Sequence, residues 1–379
     1  VVYNIKFTNV LHWNYRGFTQ FPIQNIKGEE TEITDIYLKE NLISEIPNDI
    51  EKLANLESLY LSGNDITVLP KEISKLTRLK CLDISGNRLR WIPDEVGELQ
   101  NLKFLILDEN ELGCLPLRLA EVRGLRYLSV CDNKLQWISQ RPVYNYYQCE
   151  LRFWRNETLR TIPYALWYHM FRGQQTRSLN IRSLQIPKCT TESKGRCLVR
   201  VDEEYLDINF PPNNTVIVNF APAPPSLLEL STRKLYQTIS DTAKRLTSAT
   251  YNIYSDYTIE YDFSNVDING NTKECKDSCY KRNFNREKQC TVPNDVLRKY
   301  FDYLPGFIKK YLSNGPLSRC EYVDCKAPVF DYAYYEFCLE KIILIDNSSD
   351  VILSATFCSK SCADSWKVGK HVLPLKSNF

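Results

Sequence analysis

Along the first half of the chain the apolar positions fall into a unit that recurs every 23 residues. Each unit opens on two aliphatic residues with one residue between them: Ile36 and Leu38, Leu59 and Leu61, Leu82 and Ile84, Leu105 and Leu107, Leu128 and Val130, and Leu151 with Phe153. An asparagine follows each pair, giving Asn41, Asn64, Asn87, Asn110, Asn133 and Asn156. Then come Ile43, Ile66, Leu89, Leu112 and Leu135, and the unit closes on Pro47, Pro70, Pro93 and Pro116, with Ser139 in the fifth place. The alternating pair predicts a short strand with one face buried. The asparagine turns the chain inward, where its amide can satisfy backbone groups that the turn leaves unpaired.

One such unit cannot bury its own apolar face, so the units must stack on one another. The pattern predicts an α/β fold class built on a leucine-rich repeat solenoid, a horseshoe of about seven turns over residues 11–165. The array frays at both ends. Phe18, Phe21 and Pro22 fit the unit, but Arg16 holds the asparagine place and the next spacing is 25 residues; Leu159, Ile162 and Pro163 come one residue late. Strand residues that alternate with the buried leucines face the concave side. Among them Tyr37, Tyr60, Asp83, Phe104, Ile106, Tyr127, Arg152 and Trp154 form the expected partner-binding face, because aromatic and aliphatic groups gathered on one exposed surface mark protein contacts.

The period stops after residue 165. Stretches RCLVRVDEEYLDINF and NTVIVNF read as strands around a Pro-Pro-Asn-Asn turn, so 166–220 is a β-rich connection. APAPP precedes PSLLELSTRKLYQTI, whose Leu227, Leu228, Leu230 and Leu235 predict an amphipathic helix. In LPGFIKKYL, residues 304–312, Leu304, Phe307, Ile308, Tyr311 and Leu312 are expected on one helical face. Much of the segment between, 236–303, is Tyr, Asn, Asp and Ser and reads as a flexible insert.

Net charge is +2, from 48 basic and 46 acidic residues. That balance argues against nucleic acid as the main ligand. No apolar run has the length of a membrane helix. The chain has 14 cysteines. Cys81, Cys114, Cys131 and Cys149 lie singly in the repeats with no flanking cysteine cluster, and the sequon at Asn156 falls on a position expected to be buried. Both observations point to a reducing compartment, cytoplasmic or also nuclear. There the spaced pairs Cys320/Cys325 and Cys358/Cys362 suit a structural zinc with four thiolates; free core thiols are the alternative. Cys338 is a spare ligand. Three histidines, His12, His169 and His371, sit in no metal or triad motif, and no phosphate loop is present. The chain is therefore expected to be no enzyme.

Ser226, Leu227, Ser231 and Leu235 resemble the elongin-binding box of cullin-linked ubiquitin ligase receptors, with Ser231 where Cys is usual. A plain packing helix satisfies the same pattern. Leu304, Pro305, Ile308, Tyr311 and Leu312 are similar to the cullin-contacting helix that follows such boxes, though here 69 residues separate Leu235 from Leu304. The whole order of repeats, PSLLEL, LP-x-x-x-x-x-YL, a Cys pair followed by VFD, and FCSKSC resembles the leucine-rich repeat-containing protein 58 family. In that family a Cys stands near the position of Asn347. The resemblance implies a substrate receptor of a cullin–RING ubiquitin ligase with a protein substrate, elongin B/C and a cullin as partners. A signalling scaffold that binds a GTPase or phosphatase is the alternative. The expected organisation is 1–165 solenoid, 166–220 connection, 221–318 box-like helices with the insert, and 319–379 a Cys-rich zinc module, the last two being small and mixed α/β.

Overall fold

The computed structural model describes residues 9–26, 28, 30–140, 149–167, 197–201, 204–210, 216–217, 219, 224–250, 301–343 and 348–377. In the array, seven short strands stack in parallel in chain order: β1 (Val10–His12), β2 (Asp35–Tyr37), β3 (Ser58–Tyr60), β4 (Cys81–Asp83), β5 (Phe104–Ile106), β6 (Tyr127–Ser129) and β7 (Glu150–Arg152). Register puts Ile36, Leu59, Leu82, Leu105, Leu128 and Leu151 opposite one another, all buried. The alternating pairs therefore build the core that no single turn could close.

The asparagines do what the pattern requires. Asn87 Nδ2 donates to the carbonyls of Leu61, Ile84 and Ser85, at 2.9, 3.1 and 3.1 Å, while its Oδ1 accepts from the Ile66 amide at 2.9 Å. Asn64, Asn110, Asn133 and Asn156 repeat the arrangement, each tying its own turn to the preceding one. All are buried. On the opposite flank the turns close as short 3-10 helices at Asn48–Lys52, Lys71–Lys75, Asp94–Glu98 and Leu117–Glu121, entered by Pro47, Pro70, Pro93 and Pro116 in extended conformation. Proline fits there because its fixed φ suits the entry and its missing N–H has no partner to lose.

β8 (Ile162–Pro163) leaves the array and joins a different sheet, of order β11–β14–β15–β8, where β11 is Val216–Ile217, β14 Tyr332–Ile343 and β15 Ser348–Phe357. β8 runs parallel to β15, Ile162 facing Leu353 and Pro163 facing Ser354. β9 (Cys197–Val201) pairs with β10 (Glu204–Asp207) and β16 (Leu375–Ser377). The expected strands of the connecting segment thus become parts of the second half, and the Pro-Pro-Asn-Asn turn and Asn347 lie outside the described residues. The array's core continues without a break into Val351, Leu353, Ala355, Phe357 and Trp366.

α1 (Leu227–Thr250) starts at Ser226, whose Oγ accepts from the Glu229 amide at 3.1 Å. It continues to Thr250 and so enters the segment read as a flexible insert from residue 236. Gln237, Ala243, Lys244, Arg245 and Leu246 are good helix formers, which accounts for the continuation. α2 (Gly306–Asn314) packs beside it: Tyr236 and Ile239 from α1 share a small core with Leu312, Ile308 and Phe330. α3 (Lys360–Lys367) follows β15. Among the described residues no helix is long and apolar enough to cross a membrane.

Candidate functional site

Two pairs of thiols meet where β15 passes into α3. Cys320 follows β12 (Ser318–Arg319), and the loop to β13 (Pro328–Val329) is closed by the Cys320 amide on the Ala327 carbonyl at 2.9 Å. Inside that loop the Cys325 amide donates to the Tyr322 carbonyl, and Lys326 takes the left-handed conformation, φ 47°. Cys358 is the next residue after β15, and Ser359 caps α3 by accepting from the Cys362 amide at 3.3 Å. The four sulfurs all lie within 4.8 Å of one another, Cys325 to Cys358 at 3.4 Å and Cys358 to Cys362 at 3.7 Å. Zinc–sulfur bonds of ~2.3 Å in a tetrahedron place sulfurs about 3.8 Å apart, so the donor set fits a metal that takes four thiolates.

The electrostatics agree with that chemistry. Hydrogen bonds from Cys320, and then from Cys325 and Cys362, pull the Cys358 thiol down to about 5, against the cost of burial. Cys320 is pushed up because it donates to Cys358 and is buried; burial takes Cys325 up to about 11. The start of α3 adds a positive end of a helix dipole beside Cys358. Cys338, the spare candidate, is buried in β14 opposite Leu353 and is not one of the four.

On the concave face the structure separates the expected residues. Tyr37 and Tyr60 stack at 4.6 Å, and His12 extends the column onto Tyr37 at 4.9 Å. His12 was not foreseen because the first spacing is 25 residues, not 23. Lys39 lies over the Tyr60 ring and pairs with the buried Asp83 at 3.1 Å, so Asp83 is committed within the face. Phe104 is 43% exposed, Ile106 and Tyr127 are half-buried, and Arg152 covers the Tyr127 ring at 5.3 Å while bonding Glu150. Trp154 departs from the expectation. It is buried against Phe153 in the core that the two halves share.

The helices divide in a similar way. Leu227 is 82% exposed, Leu228 and Leu230 are exposed, and Ser231 faces solvent, whereas Leu235 packs on the small core. In the 304–312 stretch Leu304, Ile308 and Leu312 turn inward at helical spacing and Tyr311 stacks on Phe330 at 5.2 Å, while Phe307 departs from the expected face and is 69% exposed. Pro305 precedes the helix as its cap.

The inward face of α1 carries two residues that the sequence reading passed over. Glu229 is buried and accepts the backbone amides of Phe330 and Asp331 at 3.2 and 3.1 Å. It also accepts Arg233 Nε at 2.6 Å, and Arg233 donates onward to the carbonyls of Tyr332 at 2.8 Å and Cys358 at 3.3 Å. The Ser226-x-x-Glu229 spacing signals a capping box. Here the carboxylate reaches across to another element.

A leucine-rich repeat family model matches residues 54–112. Similar solved structures include a leucine-rich repeat protein of Leptospira interrogans, 32% identical over 38% of this chain and 36% of that one, with a TM-score of 0.35. The plant peptide hormone receptor RGFR1 in complex with RGF2 is 28% identical over 35% of this chain and 21% of its own, TM-score 0.30. The ectodomain of the receptor kinase SOBIR1 from Arabidopsis thaliana is 25% identical over 33% and 70%, TM-score 0.30. The chain thus spans 36% and 21% of the first two structures' own lengths. None of the curated proteins matches it. The matched repeats, their 23-residue period and the stacked parallel sheet show that the first part of this chain is a leucine-rich repeat solenoid.

Proposed function

We propose that this protein-binding scaffold is the substrate receptor of a cullin–RING ubiquitin ligase. In this reading the concave column of His12, Tyr37 and Tyr60, continued by Phe104, Ile106 and Tyr127, holds a protein substrate. Leu227 and its exposed neighbours receive elongin B/C, α2 faces a cullin, and the four thiols hold a structural zinc. The order of motifs, which resembles that of the leucine-rich repeat-containing protein 58 family, supports it.

One observation carries the reading. Leu227, 82% exposed, forms with the exposed Leu228 and Leu230 an apolar run at the first turns of one helix, as partner sites do, and the opposite side is clamped to the protein by Glu229 and Arg233. The helix offers its leucines outward because its other face is occupied. α2 lies at its side despite the 69-residue gap.

The test is direct capture of purified elongin B/C by the full chain and by Leu227→Ser. An anchor leucine is worth about 2 kcal/mol, so the variant should bind roughly thirtyfold more weakly with its substrate binding intact. Wild-type protein that captures no elongin, or a variant that captures as much, would overturn the reading. Recovery of a GTPase or phosphatase through the concave face would favour a signalling scaffold.

A further inference from the structure

The thiol cluster and the outward-facing helix are physically one assembly, joined by a chain of short polar contacts. Cys358 contributes a sulfur to the cluster and its carbonyl to Arg233 Nη1 at 3.3 Å. Arg233 Nη2 holds the Tyr332 carbonyl at 2.8 Å, at the start of the strand paired with β15, and its Nε holds Glu229 at 2.6 Å. Glu229 in turn takes the amides of Phe330 and Asp331. Arg233 and Glu229 are almost wholly buried, with side chains 12% and 3% exposed. A buried pair of this kind holds only while every partner stays in place, because either charge left alone is expensive.

Glu229 and Leu227 lie two positions apart, on opposite sides of α1. The contact that fixes Glu229 therefore fixes the direction in which Leu227 projects. We infer that a metal ion held by Cys320, Cys325, Cys358 and Cys362 orders the first turns of α1 through the Arg233–Cys358 contact, and so controls whether the Leu227 surface is presented. Without a metal the β15–α3 corner is held by the β14–β15 ladder and the Ser359 cap but not by the thiols. The Cys358 carbonyl is then freer to move, Arg233's hold on it weakens, and the first turns of α1 lose one of their anchors. Arg233 is a positioning residue here, since it touches neither the metal nor the partner. The functional consequence rests on the docking reading above; the coupling of metal to helix does not.

The experiment uses the full chain, zinc-loaded or stripped by a chelator under reducing conditions, with metal content measured by mass spectrometry. Amide hydrogen exchange is followed over residues 227–235. Stripping should speed exchange there about tenfold or more, with the amides of β3, β4 and β5 unchanged, because opening is local. Arg233→Lys cannot span Glu229 and both carbonyls, so it should keep its zinc and exchange as fast as stripped protein. This second variant separates the coupling from any general unfolding on metal loss. Capture of purified elongin B/C should fall in both. Equal exchange with and without zinc, an Arg233→Lys protein that exchanges like wild type, or a chain that takes up no metal would overturn the inference. Exchange that responds to zinc while neither form captures elongin would uphold the coupling and remove the docking reading.

Discussion

The array and the second half of the chain are stabilised by contacts of very different reach. In the array every asparagine of the ladder bonds residues between 2 and 28 positions away, and the same contacts recur turn after turn. In the second half the decisive contacts join distant segments: Arg233 reaches Tyr332 and Cys358 across 99 and 125 residues, and Gln140 reaches Glu321 across 181. The array is a sum of like neighbours, and a fault in one turn is shared with the turns on either side. In the second half the β14–β15 ladder is regular, but the contacts that seat the helix and the seam each occur once. Yet both halves share one core through β8 and Trp366, so the difference lies in how each region is specified and not in where it ends.

Substitutions at three kinds of place probe that difference. Asn110→Leu should be the most damaging, because it leaves the Leu89 amide without its acceptor and takes one of two donors from each of the carbonyls of Ile84, Leu107 and Asp108. Leaving that buried amide unpaired and thinning the ladder beside it should cost about 3 kcal/mol in denaturant unfolding. Asn64→Leu and Asn87→Leu should cost much the same, and widely different values would break the picture of like neighbours. Gln140→Ala acts on the seam instead. Gln140 donates to Glu321 at 2.7 Å and accepts from the Arg319 amide at 2.6 Å. Its loss should cost about 2 kcal/mol and separate the array from the second half as two calorimetric transitions. A single sharp transition at lower temperature would show that the shared apolar core alone keeps the halves together. Phe104→Asp should be the mildest, within about 0.5 kcal/mol of wild type because Phe104 is 43% exposed. Loss of substrate capture with an unchanged circular dichroism spectrum is the expected result, and retained capture would move the substrate off the concave face.

Legibility follows the same division. The strands, their register and the buried asparagines could be read because each residue's environment is set by residues one period away. Trp154 was misread by that very rule: its counterparts Lys39, Ser62, Ser85 and Asp108 are not buried, but Cys131 and Trp154 in the last two turns are, where the core runs on into the second half. The thiol pairs were visible as spacings, and their convergence required a contact across 33 residues. Glu229 drew no notice because its partners, Phe330 and Asp331, lie 101 and 102 residues away. The helical run to Thr250 was obscured by averaging composition over a longer segment whose polar residues lie mostly further on.

The parallel pairing of Ile162 and Pro163 with Leu353 and Ser354 has a consequence for how such a chain can change length. The second half is keyed to the final coil alone, whereas the interior coils are interchangeable. Gaining or losing one whole 23-residue coil between β3 and β6 would preserve every stacking neighbour and leave the Pro163–Ser354 pairing untouched. The concave face would lengthen or shorten by one rung while its far end kept the same footing. A gain or loss of any other length would throw the asparagine ladder out of step. Inheritance can therefore tune the reach of this molecule only in whole coils, as on a ratchet.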